Sequence, residues 1–431
     1  MSSLQSTPLE FDPAGSTAEA RKEVLAIAVD APGFPSMCMM LVDLLVRRAD
    51  VGVFDFTPTA VNIRYQIDGL WHPMTPLDRE NGDSILAVLK HIAGMKYEER
   101  QARQDGSFKM LFAAVKYKFR VVSQGVANGE RVGVYVDFKR PPMETLEELG
   151  IRPGLKNDLV PLLELDQGLM ISTAAPGEGH TSLWRGMLGA CDRFLRDFYV
   201  LEEKSRVEPE VINVASLTYD EKAGENPFSD IRSLLLREPN VVAFAEIPNA
   251  EILNKIMELS ENEEIMTLAR IHGKNAVDGL IRILALRPDC VRLAKNLKGV
   301  LAMRVLRKLC ETCRVPFVPD NRLLENLGIP LGRVRNLYKA YVFRPGEVDA
   351  KGQEIPPCPG CMGTGFKGRI GLFELLKLTD PIRNAIAAKI PVANLQEIIA
   401  NSGHVSMRDE AVLLVAKGTT SLEEVQRVLS K

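Results

Sequence analysis

The sequence predicts an α/β protein with a mostly parallel sheet at its centre, and three observations carry that prediction. Between residues 166 and about 300, strand-like apolar runs alternate with segments of helical period, the pattern of parallel strands joined by crossover helices. The first such strand enters the first such helix through "AAPGEGHT" (174–181), a loop of small residues and glycines. Further on, two C-x-x-C pairs, Cys310/Cys313 and Cys358/Cys361, mark a separate metal-type subdomain.

Taken in order, residues 1–30 read as a flexible tail, without the basic and apolar regions of a signal peptide. Residues 31–142 read as a small N-terminal α/β domain. There "MCMMLVDLLVRRAD" has helical periodicity, with Met37 to Met40 packing the core. "GVFDFTP", "AVNIRYQIDGLWHPM" and "ERVGVYVDF" alternate as strands, and Asp68-Gly69 supplies a hairpin turn. Residues 143–165 read as a linker that holds a short helix capped by Thr145. Within 166–300 the pattern predicts strands at 168–173, 197–202, 240–247 and 264–271. Helices are predicted at 181–190, 228–237, 250–260 and 274–286, with Trp184 packing on the sheet and Trp71 also structural. A tetracysteine subdomain follows over 301–375, then helices over 376–431. The stretch "RLAKNLKGVLAMRVLRKL" (292–309) carries six basic and no acidic residues and reads as a basic helix. It is expected to be a solvated face or a contact to a neighbouring subunit.

Composition narrows the class. At 431 residues the chain has room for two or three domains, and 46% hydrophobic with 26% charged residues is ordinary for a globular protein. A net charge of −2 offers no global field for nucleic acid or an anionic membrane. No run approaches a membrane span, so a cytoplasmic chain is expected, in which disulfides are rare. Cys38, Cys191 and Cys290 then read as buried thiols. The two C-x-x-C pairs read as a tetrahedral S4 site for structural Zn2+, the 44 residues between the knuckles looping out. Four thiolates leave no open position, so a catalytic zinc is not expected.

The loop at 174–181 fits the phosphate-cradling pattern G-x-x-x-x-G-K-[ST] in part. Gly179 and Thr181 are in place, with Gly177 and Ser182 beside them. Ala174 stands for the first glycine and His180 for the lysine.

Several motifs then fall in one order: "QDGSF", the loop, "YVLEEK", "LLLREPNVVAFAEIPNAE", "LARIHGKNAVDGLIRIL", and the cysteine pairs ending in "GTGFKGRIGLFELL". Together, over about residues 30 to 431, they resemble the secretion ATPases that drive type II secretion and type IV pilus assembly. The resemblance implies a PAS-like N-terminal domain, a RecA-like P-loop NTPase core, ATP with Mg2+ between two lobes, and a ring of six subunits. It places Thr181 at the magnesium ligand, Glu202 at the acid that polarises the attacking water, and Glu246 at the Walker B glutamate. His272 falls in the family's histidine box, and Arg100 and Arg120 match arginines that reach the phosphates. It further implies a homo-oligomeric or mixed ring, cytoplasmic and peripheral to the inner membrane through secretion or pilus-assembly proteins, with no nucleic acid. The additional N-terminal domain by which many members dock to such a partner is expected to be missing. The cysteine pairs favour the secretion and pilus-assembly branch, since retraction motors lack that segment.

The departures have a direction. His180 replaces the lysine, and Gln101 and Ser107 stand where arginines are usual. Pro248 and Asn249 replace an arginine and an aspartate, and Glu178 replaces a small residue. One charge pair about 4 Å apart at an effective dielectric near 20 is worth roughly 4 kcal/mol, about a thousandfold. Glu178 is expected to add repulsion in the loop, and Ala174 to remove backbone freedom. Against this, phosphate beside His180 would raise its pKa, and a helix N-terminus attracts anions by itself. The expectation is a ring subunit with weakened or lost hydrolysis. The alternatives are a fully active motor and a zinc-containing nucleic-acid binder.

Overall fold

The computed structural model describes residues 9–138, 143–344, 346–348 and 351–430. Contacts divide the chain into two compact units, one holding the residues up to 138 with segment 341–367, the other holding 143–340 and 368–430.

The first unit is built on an antiparallel sheet. Its strand order is Glu10–Asp12, Gln104–Phe112, Val115–Val126, Gly129–Asp137, Ala49–Phe56, Ala60–Ile67 and Leu70–Pro73, with the short Leu77–Asp78 also pairing Ala60–Ile67. Alternation along these strands sends Phe108, Met110, Phe119, Val121, Val132 and Val134 into one core, where helices Phe34–Val46 and Arg79–Ile92 supply Met37, Leu41, Leu44, Leu86 and Ile92. Met37 and Met40 are buried as expected, whereas Met39 is exposed. Asp68 and Gly69 both take positive φ (48° and 85°), as a two-residue hairpin turn between Ile67 and Leu70 requires. Where the sequence reading has a tail, Glu10–Asp12 pairs with Lys109–Leu111, and Ala18–Asp30 is a helix capped by Thr17. That helix has a weak apolar stripe with only Ala28 fully buried, which is why periodicity does not reveal it. The lowest residues of the tail, 1–8, lie outside the described residues.

The second unit carries a seven-stranded sheet in the order Val214–Tyr219, Phe198–Glu203, Val241–Phe244, Met266–His272, Gly168–Ala174, Leu297–Leu309, Phe366–Lys377. The first six run parallel to their neighbours. Every residue of Gly168–Ala174 is buried, as expected of a central parallel strand covered on both faces. The four predicted strands and the helices Ala250–Glu263 and Ala276–Ala285 occur where the alternation places them, but the helix expected over 228–237 is reduced to Ile231–Leu235. The edge strand Val214–Tyr219 was not foreseen, because "VASLTY" is short and half exposed.

Three further readings differ from the structure. The stretch 143–165, read as a linker, holds helices Leu146–Leu149 and Pro153–Leu163. The capping box at Thr145 and Glu148 starts the first as predicted. Their Leu146, Leu149, Leu155, Leu159 and Leu163 join Trp184 and Met187 in one core, so the segment is a layer of this unit. The basic helix expected over 292–309 is a short helix, Cys290–Asn296, followed by the 13-residue strand Leu297–Leu309. The run "GVLAMRVL" is apolar with β-branched residues and lies in the sheet interior, so the solvated basic face does not exist. The cysteine-bearing stretch is a long excursion between Leu297–Leu309 and Phe366–Lys377, which are neighbours in the sheet. It holds the antiparallel pair Val315–Phe317 and Leu337–Lys339 and the helix Asn321–Asn326, and four helices follow Lys377. Trp184 is buried, but Trp71 is about half exposed beneath Arg64. Among the described residues no single helix is long and apolar enough to cross a membrane.

Candidate nucleotide site and metal centre

The loop 175–179 leaves the central strand at the edge of the buried sheet and turns on Gly177 and Gly179, whose φ values are 75° and 83°. The left-handed φ is what favours glycine at 179; a Cβ there would also meet Met303 Cε at 2.7 Å, the end of a flexible side chain that can move aside. Ala174 ends the strand, paired with His272 and Met303, and does not take the left-handed conformation. The glycine it replaces is therefore not needed for backbone freedom, contrary to expectation. Helix His180–Ala190 starts without a side-chain cap, so the N–H groups of its first turn face an acceptor to come. Thr181 is exposed and Ser182 half-buried at that turn. The backbone of a phosphate cradle is intact.

The side chains around it are engaged with other partners or held neutral. Glu178 does not project into the loop. Its carboxylate accepts the Val305 N–H at 2.9 Å and lies 3.6 Å from Arg304 Nη2, which removes most of the repulsion expected of it. His180 is held neutral. Burial first, and then the charges of Arg270 and His272, push its pKa down to about 3. Its ring sits 4.9 Å from that of His272, and its Nε2 is buried without a hydrogen-bond partner. A cation at this position would have to be created against its surroundings.

His180, His272 and Glu246 line one cavity of about 510 Å3 with Arg206, Arg270 and Arg282. Three arginines would suit an anion, but each is already paired. Arg206 Nη1 donates to Glu246 at 2.8 Å, and the same guanidinium reaches Glu221 at 3.1 Å and Glu203 at 3.6 Å. Arg270 donates to Glu208 at 2.5 Å and to the Ala245 carbonyl, and Arg282 pairs with Asp278 at 2.8 Å. His272 Nδ1 lies 3.3 Å from the Ala174 carbonyl. Glu202 is buried and lines a different cavity, of about 520 Å3, with Trp184, Glu208 and Ser216. It accepts from Ser216 Oγ at 2.7 Å and the Glu208 N–H at 3.2 Å. The structure thus gathers His180, Glu246 and His272 but leaves Glu202 apart from them. Arg206 and Arg270 escaped the sequence reading. Arg206 sits in a polar loop with no motif, whereas Arg270, a lone charge inside "TLARIH", was a usable signal.

In the first unit Arg100 and Arg120 are likewise committed. Arg100 pairs with Asp83 at 3.0 Å and donates to Tyr97 Oη at 2.6 Å, beside the buried Lys90–Glu130 ion pair at 2.6 Å. Arg120 forms a double hydrogen bond with Asp105.

The four sulfurs of Cys310, Cys313, Cys358 and Cys361 lie within 4.8 Å of one another, three of the residues buried. Metal–sulfur bonds of about 2.3 Å in a tetrahedron put sulfurs a little under 4 Å apart, so the donor set fits a tetrahedral ion. Gly365 N–H donates to Cys361 Sγ at 3.2 Å, a bond that orients the sulfur, and Gly363 and Gly365 supply positive φ for the turn. The remaining cysteines are packing groups. Cys191 and Cys290 are buried and Cys38 half-buried, and burial raises the thiols of Cys191 and Cys38 to about 12 and about 11.

A central parallel strand delivering a glycine-turned loop to an uncapped helix start defines an α/β core of the P-loop type. The chain belongs to the type II/IV secretion system protein family, whose model matches residues 29–427. It is 25% identical over 367 residues to the type IV pilus assembly ATPase PilB of Thermus thermophilus, an alignment covering 85% of this chain and 39% of that protein. It is also 25% identical over 382 residues to the type II secretion system protein HxcR of Pseudomonas aeruginosa, covering 89% and 74%. The chain therefore spans well under half of the first relative's length. The fold matches that of the Legionella pneumophila ATPase DotB, with a TM-score of 0.54 at 12% identity over 91% of this chain and 95% of that one.

Proposed function

We propose that this chain is a structural or regulatory subunit of a secretion or pilus-assembly ATPase ring, with the family's nucleotide cradle and without efficient hydrolysis. The observation that carries the reading is the charge state of the site. The loop has a neutral, half-buried His180 in place of a permanent cation, and every arginine lining the cavity is bound to a carboxylate. The backbone N–H groups at His180, Thr181 and Ser182 suit a phosphate, and by family resemblance the Thr181 hydroxyl would hold a magnesium ion. The charge that would neutralise a triphosphate is missing, so no hydrolytic step is assigned to these residues. Retention of Glu202, Glu246 and His272 favours the second reading, an active motor, in which Glu246 would have to leave Arg206. By family resemblance the partners are copies of this chain or an active paralogue in a ring of six, together with inner-membrane secretion or pilus proteins. Cys310, Cys313, Cys358 and Cys361 would hold a structural Zn2+, which fixes two chain turns and supplies no open coordination position.

The test joins assembly to turnover. The purified, zinc-replete protein is expected to form rings or mixed rings by mass photometry and to release no phosphate at saturating Mg-ATP. Turnover that is abolished by Glu246→Gln would replace this reading with that of a motor.

A further inference from the structure

The phosphate-type loop is tied to the end of the chain. The strand Leu297–Leu309 pairs with the central strand only as far as Met303, opposite Ala174. Beyond that point its polar groups are taken up elsewhere in the same unit. Leu309 N–H donates to the Thr419 carbonyl at 2.9 Å and Thr420 Oγ1 to the Arg307 carbonyl at 2.8 Å. Glu424, almost fully buried, accepts from the Arg307 backbone at 2.9 Å, from the Arg307 guanidinium at 2.8 Å and from Arg427 at 2.7 Å. On the other side Val305 N–H donates to Glu178 of the loop.

One buried guanidinium joins the two sides. Arg304 is 3% exposed, and its Nη2 donates to the Val428 carbonyl at 2.8 Å while lying 3.6 Å from Glu178 Oε1. Val428 is in the last turn of helix Leu422–Leu429, where carbonyls lack partners within the helix and cations are favourable. Arg304 Nε has no partner, so a charge that is costly to bury rests on one carbonyl acceptor and one nearby carboxylate.

We propose that Glu178, Arg304 and the C-terminal helix form a latch that couples the conformation of loop 175–179 to the docking of helix Leu422–Leu429. Loss of the Val428 carbonyl or of the Glu178 carboxylate leaves the buried guanidinium under-compensated, so each end of the latch stabilises the other. A partner that lifts the C-terminal helix would release the loop, and a ligand that draws Glu178 away would loosen the helix. This inference goes beyond the proposed function and holds whether or not nucleotide is hydrolysed.

The test is amide hydrogen exchange on the full chain without nucleotide, comparing wild type with Glu178→Ala and Glu424→Gln. In Glu178→Ala, amides of 425–430 are expected to exchange at least about fivefold faster, the lower end of coupling between sites, while helix Ala250–Glu263 is unchanged. In Glu424→Gln, by reciprocity, amides of 177–183 and Val305 are expected to quicken by a similar factor. If Glu178→Ala quickens only the loop and Val305, the latch does not exist. A loosened C-terminal helix with an unchanged loop in Glu424→Gln overturns it as well. Should Glu424→Gln fail to fold, Glu178→Ala decides alone, since it alters a half-exposed loop side chain.

Discussion

The tetracysteine cluster and the loop at 174–181 are both short motifs, and they have fared differently. The cluster has its full donor set of four sulfurs gathered within 4.8 Å of one another, with a backbone N–H oriented toward one of them. The loop has its backbone, including both positive-φ glycines and an open helix start, while the three arginines of the adjoining cavity are all paired with carboxylates. The difference follows from what each site is made of. A tetrahedral metal site loses its purpose with any one ligand, so partial decay is not a stable halfway state. A phosphate cradle is mostly main chain, which survives side-chain replacement because the strand, loop and helix are also needed for packing. Trp184 and Met187 hold that helix in the core whether or not an anion is bound.

The largest effect is expected at the cysteines. The Cys310→Ser, Cys361→Ser double variant should lose its metal, expected at one zinc per chain, with a binding free energy on the order of 10 kcal/mol. Metal analysis and proteolysis within 310–365 read the outcome, and an unchanged protease pattern would mean that the cluster is not structural. Next in size is the scaffold under the loop. Trp184→Ala should cost about 3–5 kcal/mol in denaturant unfolding, because it empties a fully buried aromatic site.

Smaller, but more specific, is a pH effect at His180. Its folded pKa of about 3 lies below the unfolded value of 6.5, so the unfolded chain binds the proton first as pH falls. Stability is full above pH 6.5 and declines from there toward pH 3. Between pH 6.5 and 5 the His180→Asn variant should show a slope shallower by up to about 1.4 kcal/mol per pH unit. Parallel pH–stability curves would show that His180 is not held neutral. Glu424 titrates lower. Burial opposes its charge, but hydrogen bonds from Arg427 and Arg307 outweigh this and hold it at about 2, so its contribution is lost only as pH falls from 4.5 toward 2. Smallest is Arg206→Ala, which removes a half-exposed ion network and should cost no more than about 1 kcal/mol.

Much of this molecule was legible from local pattern. The alternation over 166–300, the hairpin at Asp68-Gly69, the Thr145 cap and the cysteine spacing each depend on residues close in sequence. What was hidden depends on distant partners. The strand Leu297–Leu309 carries basic residues that a local reading assigns to a solvated helix, and only the sheet explains how Arg304 can be buried. Glu178 looked like a repulsive charge in the loop until its acceptor role toward Val305, 127 positions away, was in view. The leucines of 146–163 read as a linker because the core they fill is made by helix His180–Ala190 and its strands. At the candidate site the sequence identified Glu246, His180 and His272 together, but it could not reveal that Arg206 neutralises the first of them.

On the function proposed above, the missing cation at position 180, and not a damaged backbone, would weaken nucleotide binding at the loop. Calorimetric titration of the zinc-replete protein with a non-hydrolysable Mg-ATP analogue, beside His180→Lys and the His180→Lys, Glu178→Ser double variant, tests it directly. Wild type should show no micromolar binding. His180→Lys alone should gain most of the roughly thousandfold available from one charge pair, with little added by Glu178→Ser, whose carboxylate already faces away. Micromolar binding by wild type, or no binding by either variant, would contradict the account.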